Sequence, residues 1–330
     1  MKKSTNGSAS FSSKTKAEEV GERFLSECVG KTILITGANC GLGLETARVL
    51  ASKGSQVILA CRNPDLAKEG IRKIKEECPD ADVHSLHLDL GDLKSVKESA
   101  IEYESRFQKL NILINNAGIM ACPKSTTKDG VESQFGVNHL GHFYLTNLLL
   151  PVLSKSGTKE TPSRVVNLSS MAQFVFAPKD GILFDDINGD KHYHDWQRYG
   201  HSKLANVLFS NELNDRCKDK RVISIAVHPG VITSTNLMRH KSIGYLMRML
   251  GTAFKTKGGV SMAMSERQKS IAEGASTTLV AALDPAVKPG GYYVDCQETN
   301  GKQLHSKATD KETATKLWDL SDKMCAEIVR

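Results

Sequence analysis

Tyr199 and Lys203 stand four residues apart in Y199-G-H-S-K203, at the head of a run, LANVLFSNEL, whose apolar residues recur with helical period. Residues four apart share one face of a helix. A phenol with a pKa of about 10 is a poor base at neutral pH, and a nearby ammonium together with an oxidised nicotinamide would lower it into a useful range. The pair alone is a weak signal, because it arises by chance on many solvated helix faces. Its weight comes from its company: N115-N116-A117-G118, Asn138 within FGVNHLGHF, and N167-L168-S169-S170.

A second stretch, T36-G37-A38-N39-C40-G41-L42-G43, joins an apolar run to a helical segment. Gly37, Gly41 and Gly43 permit a tight turn, with Asn39 and Leu42 inside it. Such a turn lets backbone N–H groups at a helix N-terminus approach a pyrophosphate, whose charge the helix dipole favours. Folds that take NAD usually carry an acid about 20 residues further on, to bind the ribose 2′-hydroxyl. Here that place reads A60-C61-R62-N63. The planar guanidinium of Arg62 suits a 2′-phosphate, so the cofactor expected is NADP(H). Asn39 is a second candidate for the same phosphate.

These groups need a frame. Short β-branched runs at 31–36, 56–60, 83–88, 111–115, 164–169, 222–227 and 291–295 alternate with helical-period segments near 42–53, 64–77, 92–108, 129–153, 196–217, 270–283 and 310–328. Most of the strands are apolar on both faces, as a parallel sheet covered by helices requires. The pattern predicts a single doubly wound α/β (Rossmann) domain over 29–330, with a mainly parallel sheet of about seven strands. Residues 1–28 read as a disordered tail through residue 16 and a short leading helix. Two stretches break the rhythm, 171–195 and 236–269. Both follow the carboxyl end of a strand, where open α/β sheets bind ligands.

The composition, 40% hydrophobic and 25% charged over 330 residues, is that of an ordinary globular chain. Its net charge is +7, but Lys2, Lys3, Lys14 and Lys16 fall in an acid-free start, and the near-neutral remainder argues against nucleic acid. Eight cysteines without a C-x-x-C pair read as reduced cytosolic thiols. No apolar run approaches the roughly 20 residues of a membrane helix. The location expected is cytoplasmic, with organelle import as the alternative, since an acid-poor, hydroxyl-rich start also resembles a transit peptide, though this one has no Arg.

With all these motifs in order, the sequence resembles the short-chain dehydrogenase/reductase family, in particular its retinol dehydrogenase and WW-domain-containing oxidoreductase subgroup. The stretches TGANCGLGLETA, ILACRN, NNAGIM, VNHLGHFYL, YGHSKLANVLFSNEL, AVHPG and ETATKLWDLS carry the likeness over about residues 29–328. The resemblance implies an enzyme moving a hydride between NADP(H) and an alcohol or carbonyl. It makes Tyr199 the acid/base and Ser170, rather than Ser169, the group that polarises the substrate oxygen. Lys203 would bind the nicotinamide ribose and depress the Tyr199 pKa, and Asn138 would hold a water linking Lys203 to solvent. Asp89 and Leu90 would flank the adenine, Asn116, Ala117 and Gly118 the adenosine side, and Pro229, Gly230 and Ile232 the nicotinamide amide. Either Ser234 or Thr235 supplies the hydroxyl that the family places after HPG.

Phe174, Phe176, Trp196, Leu237, Met238 and Met247 suggest an apolar pocket, so the partner expected is a small lipophilic retinoid, steroid, aldehyde or ketone. The segment 241–257, with Ile243, Leu246, Met247, Leu250 and Phe254 on one stripe, is expected to be a substrate lid, with peripheral membrane contact as the alternative. A homodimer is left open. No metal is expected from His192, His194 and Asp195 or from His139 and His142, which lack further ligands at zinc spacing. The competing function is a non-catalytic regulator that reads NADP(H) occupancy; an intact Asn138, Ser170, Tyr199 and Lys203 set argues for the enzyme.

Overall fold

Ile33, Leu34 and Ile35 are fully buried because the strand that holds them is covered on both faces. In the computed structural model, which describes residues 11–232, 266–299 and 301–330, this strand, β1 (Thr32–Thr36), lies inside the sheet. The others are β2 (Gln56–Cys61), β3 (Val83–His87), β4 (Ile112–Asn115), β5 (Ser163–Leu168), β6 (Val222–His228), β7 (Tyr292–Val294) and β8 (Gln297–Glu298). Their order is β3-β2-β1-β4-β5-β6-β7-β8. Leu34 pairs in parallel register with Ile58 on one side and Leu113 on the other. Strand order reverses between β1 and β4, and that switch opens a crevice at the carboxyl ends of the strands.

The helices follow as α1 (Ala17–Arg23), α2 (Leu25–Cys28), α3 (Gly41–Ser52), α4 (Pro64–Glu77), α5 (Leu93–Arg106), α6 (Ser133–Phe135), α7 (Gly141–Ser156), α8 (Ala172–Val175), α9 (Asp195–Arg216), α10 (Ile271–Leu283) and α11 (Lys311–Ile328). Alternation along β1 sends Ile33 and Ile35 into the core shared with α1, α3, α4 and α10, and Leu34 into the core shared with α5, α7, α9 and α11. Caps fix the starts: Asn63, Asp92 and Asp310 accept backbone N–H groups of α4, α5 and α11, and Ser270 with Glu273 closes a capping box on α10.

Two details correct the sequence reading, and a third refines it. The disordered tail does not extend to residue 16: Phe11 packs edge-on against Phe24, its carbonyl accepts from Gln297 at 2.8 Å, and the Ser13 carbonyl accepts from Arg267 at 2.6 Å. One aromatic and two captured carbonyls offset the ordering cost of this short strap. The helix expected over 129–153 starts at Ser133, where Glu132 accepts the N–H groups of Gln134 and Phe135, and passes through a π turn, Gly136–Leu140, before α7. An eighth strand adds a short antiparallel edge beside β7.

The proposed lid 241–257, with Ser234, Thr235, Leu237, Met238 and Met247, lies outside the described residues. No described helix is long and apolar enough to cross a membrane.

Candidate active site

Gly37 has a φ of +65°, and a Cβ there would meet Ala117 Cα and Cβ at 3.0 Å. At Gly43 a Cβ would stand 2.5 Å from Asn116 Nδ2 and 2.6 Å from the Gly37 carbonyl. Only glycine lets the turn after β1 close this tightly onto the end of β4. Asn116 does the clamping, its Nδ2 donating to the carbonyl of Thr36 at 2.8 Å and of Gly37 at 3.3 Å. Its side chain is thus turned into the turn itself, a brace rather than a free adenosine contact, while Ala117 and Gly118 continue along the crevice. Gly41 and Leu42 open α3, and Asn39 lies in the turn, partly exposed.

Leu42 and Ile232 converge from opposite ends of the site, each with a methyl carbon 2.8 Å from where a Gly274 Cβ would be. Pro229 and Gly230 follow β6 directly. Arg62 is exposed at the end of β2, and no described acid pairs with it. The Asp89 carboxylate accepts the Gly91 N–H at 2.9 Å, and Leu90 is buried behind it.

At the other end of the crevice Tyr199 sits in the first turns of α9, close enough to Ser170 for that side chain to bear on its pKa, while Ser170 Oγ accepts the Ala172 N–H at 3.1 Å. Ser169 faces away: its hydroxyl donates to the Lys203 carbonyl at 2.8 Å. Lys203 is buried, and its ammonium donates to the Leu168 carbonyl at 3.0 Å, an acceptor shared with the Asn206 amide. The same ammonium lies 5.7 Å from the Tyr199 ring centroid.

Burial pushes the Tyr199 phenol up to about 12, against which the Ser170 side chain acts. Burial draws Lys203 down to about 8. The protein groups alone therefore do not lower the phenol, and the drop expected from the sequence needs the charge of a bound oxidised nicotinamide.

Asn138 is held inside the π turn by three bonds. Its Oδ1 accepts from Ile119 N at 2.8 Å, and its Nδ2 donates to Ile119 O and to Ser202 Oγ, each at 2.9 Å. Ser202 passes the chain on to the Tyr199 carbonyl at 2.8 Å. Both amide protons and one Oδ1 lone pair are used, so a water held by Asn138 would meet the second Oδ1 lone pair or the main chain. π turns of this kind are frequent at functional sites.

Met171, Phe176, Trp196 and Tyr199 form an apolar cluster with Met120 and Phe174 beside it. Phe176 and Trp196 lie 4.8 Å apart by ring centroids, and Trp196 meets the Tyr199 ring edge-on at 6.3 Å. Of the pocket residues read from the sequence, these three aromatics gather at the phenol. The wall is clamped by Arg198, which is fully buried. It donates to Asp186 Oδ2 at 2.5 Å and to the His192 carbonyl at 2.6 Å, pinning the irregular segment before α9. Arg198 went unread in the sequence, as did Gln134, whose side chain joins Ala121 N to the Asp195 carbonyl.

The histidines are dispersed. His139 meets Ser321, His142 meets Thr36, and His201 accepts the Leu183 N–H. Among the described residues no three potential ligands gather into a metal site.

A mainly parallel sheet with a glycine turn at its switch point, a serine just after β5 and a buried tyrosine and lysine on α9 defines a nicotinamide-dependent oxidoreductase. The chain belongs to the short-chain dehydrogenase family, whose profile matches residues 31–180, and within it to the retinol dehydrogenase-like subgroup. It is 40% identical over 324 residues to the chloroplastic short-chain dehydrogenase TIC 32 B of Brassica napus, covering 96% of this chain and 95% of that one. It is 42% identical over 294 residues to mouse retinol dehydrogenase 12, covering 88% and 85%. A solved uncharacterised protein from Mycobacterium paratuberculosis superposes with a TM-score of 0.68 at 35% identity, over 90% of this chain and 94% of that one.

Proposed function

We propose that the protein is an NADP(H)-dependent oxidoreductase acting on a lipophilic alcohol or its carbonyl counterpart. One observation carries the reading: the Tyr199 phenol, close enough to Ser170 for that side chain to bear on its pKa, lies against an apolar wall with the buried Lys203 ammonium 5.7 Å from its ring centroid. The crevice fits a dinucleotide, since the cradle formed by Gly37 and Gly43 has no room for a Cβ. Gly37, Asn39, Gly41, Leu42 and Gly43 would hold the pyrophosphate, Arg62 the 2′-phosphate, and Asp89, Leu90, Ala117 and Gly118 the adenosine half, with Asn116 bracing the turn behind them. Lys203 and Tyr199 would hold the nicotinamide ribose, and Pro229, Gly230 and Ile232 the carboxamide. When bound, the cofactor supplies or accepts the hydride.

The chain does the rest. Ser170 donates to the substrate oxygen and fixes its position. Tyr199 gives that oxygen a proton in reduction and takes it back in oxidation. Lys203 would hold the ribose, and its charge would act together with that of a bound oxidised nicotinamide to bring the phenol down from the high value that burial imposes. Asn138 fixes the π turn through which the spent proton is replaced.

Arg62, exposed where an acid would select NAD, supports NADP(H). The aromatic and methionine wall supports a lipophilic substrate, and similarity to retinol dehydrogenase 12 brings retinoids into that class. The location proposed is cytoplasmic, with organelle import as the second reading because a near relative is chloroplastic.

The test is steady-state turnover with NADPH or NADH against a retinoid, a steroid ketone, a long-chain aldehyde and a xenobiotic ketone. We expect one lipophilic class to be reduced with NADPH preferred. NADPH binding without turnover of any class would instead make the protein a regulator.

A further inference from the structure

Thr36, the last residue of β1, is fully buried, and its hydroxyl oxygen accepts two backbone N–H groups, from Asn116 and Ala117, each at 2.9 Å. A hydroxyl has two lone pairs and one proton. With both lone pairs used, its proton must go to the one remaining neighbour, His142 Nε2, at 2.8 Å. That nitrogen is therefore the acceptor, and the ring proton sits on Nδ1, which donates to the Asn138 carbonyl at 3.0 Å. Burial first, and then the charge of Lys203, hold His142 down to about 4, so the ring is neutral across the physiological range.

Two parts of the site are joined by this one ring. Thr36 and Asn116 shape the glycine turn, and Asn138, set in the π turn, braces Ile119 next to Gly118. From these contacts we propose that His142 is a positioning residue, which fixes the π-turn carbonyl of Asn138 against the end of β1 and so couples the cofactor turn to the Tyr199–Lys203 centre. Buried, with both ring nitrogens on protein partners, it acts through those partners. The inference rests on the function proposed above for its kinetic consequence, but the geometry can be tested without it.

The first measurement is the pair of His142 nitrogen shifts in ¹⁵N-labelled full-length protein, assigned by their loss in His142→Gln. A neutral ring protonated on Nδ1, unchanged from pH 8 to about pH 5, is expected. An Nε2-protonated ring, or a cationic ring at pH 7, would overturn the relay whether or not the protein is an enzyme.

The second is a double-mutant cycle of Thr36→Val and His142→Phe, read in NADPH affinity and in kcat, with thermal melts to confirm folding. A misplacement of about 1 Å in such a site costs up to ~100-fold. We expect each single variant to lose roughly 10- to 100-fold in kcat, with KM for the carbonyl substrate changed much less. The double variant should lose little more than the worse single, and Thr36→Ser, which keeps the hydroxyl, should recover most of the rate. Multiplicative losses in kcat and in NADPH affinity, or variants that melt earlier but keep wild-type kcat, would overturn the coupling. If no substrate is found, the NADPH-affinity cycle and the tautomer still decide it.

Discussion

The Ser169 hydroxyl donates to the main-chain carbonyl of Lys203 at 2.8 Å, so the two adjacent serines at the end of β5 have divided their work. Ser169 ties the strand to α9 one turn beyond Tyr199, and Ser170 is left facing the phenol. Ser170→Ala should therefore lower kcat by roughly 10²- to 10³-fold, the usual cost of one preorganised donor, at nearly unchanged stability. Ser169→Ala should leave kcat within a few-fold and cost about 1 kcal/mol of stability. Urea titration and steady-state rates on the two variants check this, and the opposite pattern would exchange the assignments.

Tyr199→Phe removes the transferable proton and almost no volume. Turnover should fall by about 10²- to 10⁴-fold, while NADPH binding, followed by its fluorescence, stays near wild type. Comparable rates in the variant would show that another group moves the proton.

Arg62→Ala should weaken NADPH far more than NADH, because only the 2′-phosphate engages the guanidinium. A charge-assisted contact of about 1.5 to 3 kcal/mol corresponds to roughly 10- to 150-fold in affinity. Equal weakening of both cofactors, measured by titration, would make Arg62 a mere surface cation.

Lys203 should cost the cofactor-free protein stability. Its folded pKa of about 8 lies below the unfolded value of about 10.4, so between those values the unfolded chain binds more protons than the folded one. This group's contribution is therefore unfavourable at pH 7 and improves as the pH rises from about 8 to about 10.4. Lys203→Met, which also leaves Asn206 on the Leu168 carbonyl, should be more stable at pH 7, by on the order of 1 to 3 kcal/mol, and inactive. The gap should close toward pH 10. A variant that melts earlier than wild type at pH 7 would contradict this.

Asp186 works in the other direction. Burial would raise its carboxyl, but the N–H groups of Lys191 and His192 and the Arg198 guanidinium outweigh that and hold it at about 2. Its stabilising contribution is thus complete above about pH 4 and is lost as the pH falls toward 2. Asp186→Asn removes the charge partner of the fully buried Arg198 but leaves its bonds to the carbonyls of Asp186, Ile187 and His192, so the loss should be on the order of 1 to 3 kcal/mol. Denaturation across pH 2 to 7 should show a lower plateau for the variant and a shallower acid limb.

Much of the chemistry was legible because it is local. The glycine turn is eight consecutive residues, and the Tyr199–Lys203 spacing is one helical turn, so periodicity and composition suffice. The apolar, β-branched strands likewise announce a sheet buried on both faces. What the sequence concealed depends on contacts between distant segments. Thr36 and His142 are 106 residues apart, and His142 reads as a stray histidine until the fold brings it under β1. A signal was nevertheless present, since His142 lies four residues after Asn138, on the same helical face. Arg198 looks like a surface charge of α9 until the loop that it pins is placed around it. The strap from Phe11 was missed because composition averages over a polar stretch and does not weigh one phenylalanine that finds a partner.

The π turn at Gly136–Leu140 also makes this part of the chain intolerant of a change in length. A π turn is an α-helix carrying one residue too many, and each residue of a regular helix turns the chain by about 100° and advances it by about 1.5 Å. Deleting one residue between Gly136 and Leu140 would relax the turn into ordinary helix. The segment before the turn and α7 would then be rotated against each other by about 100°, so Gln134 and His142 could not both keep their partners. A chain with the full set of chemical groups could thus be silenced by counting alone.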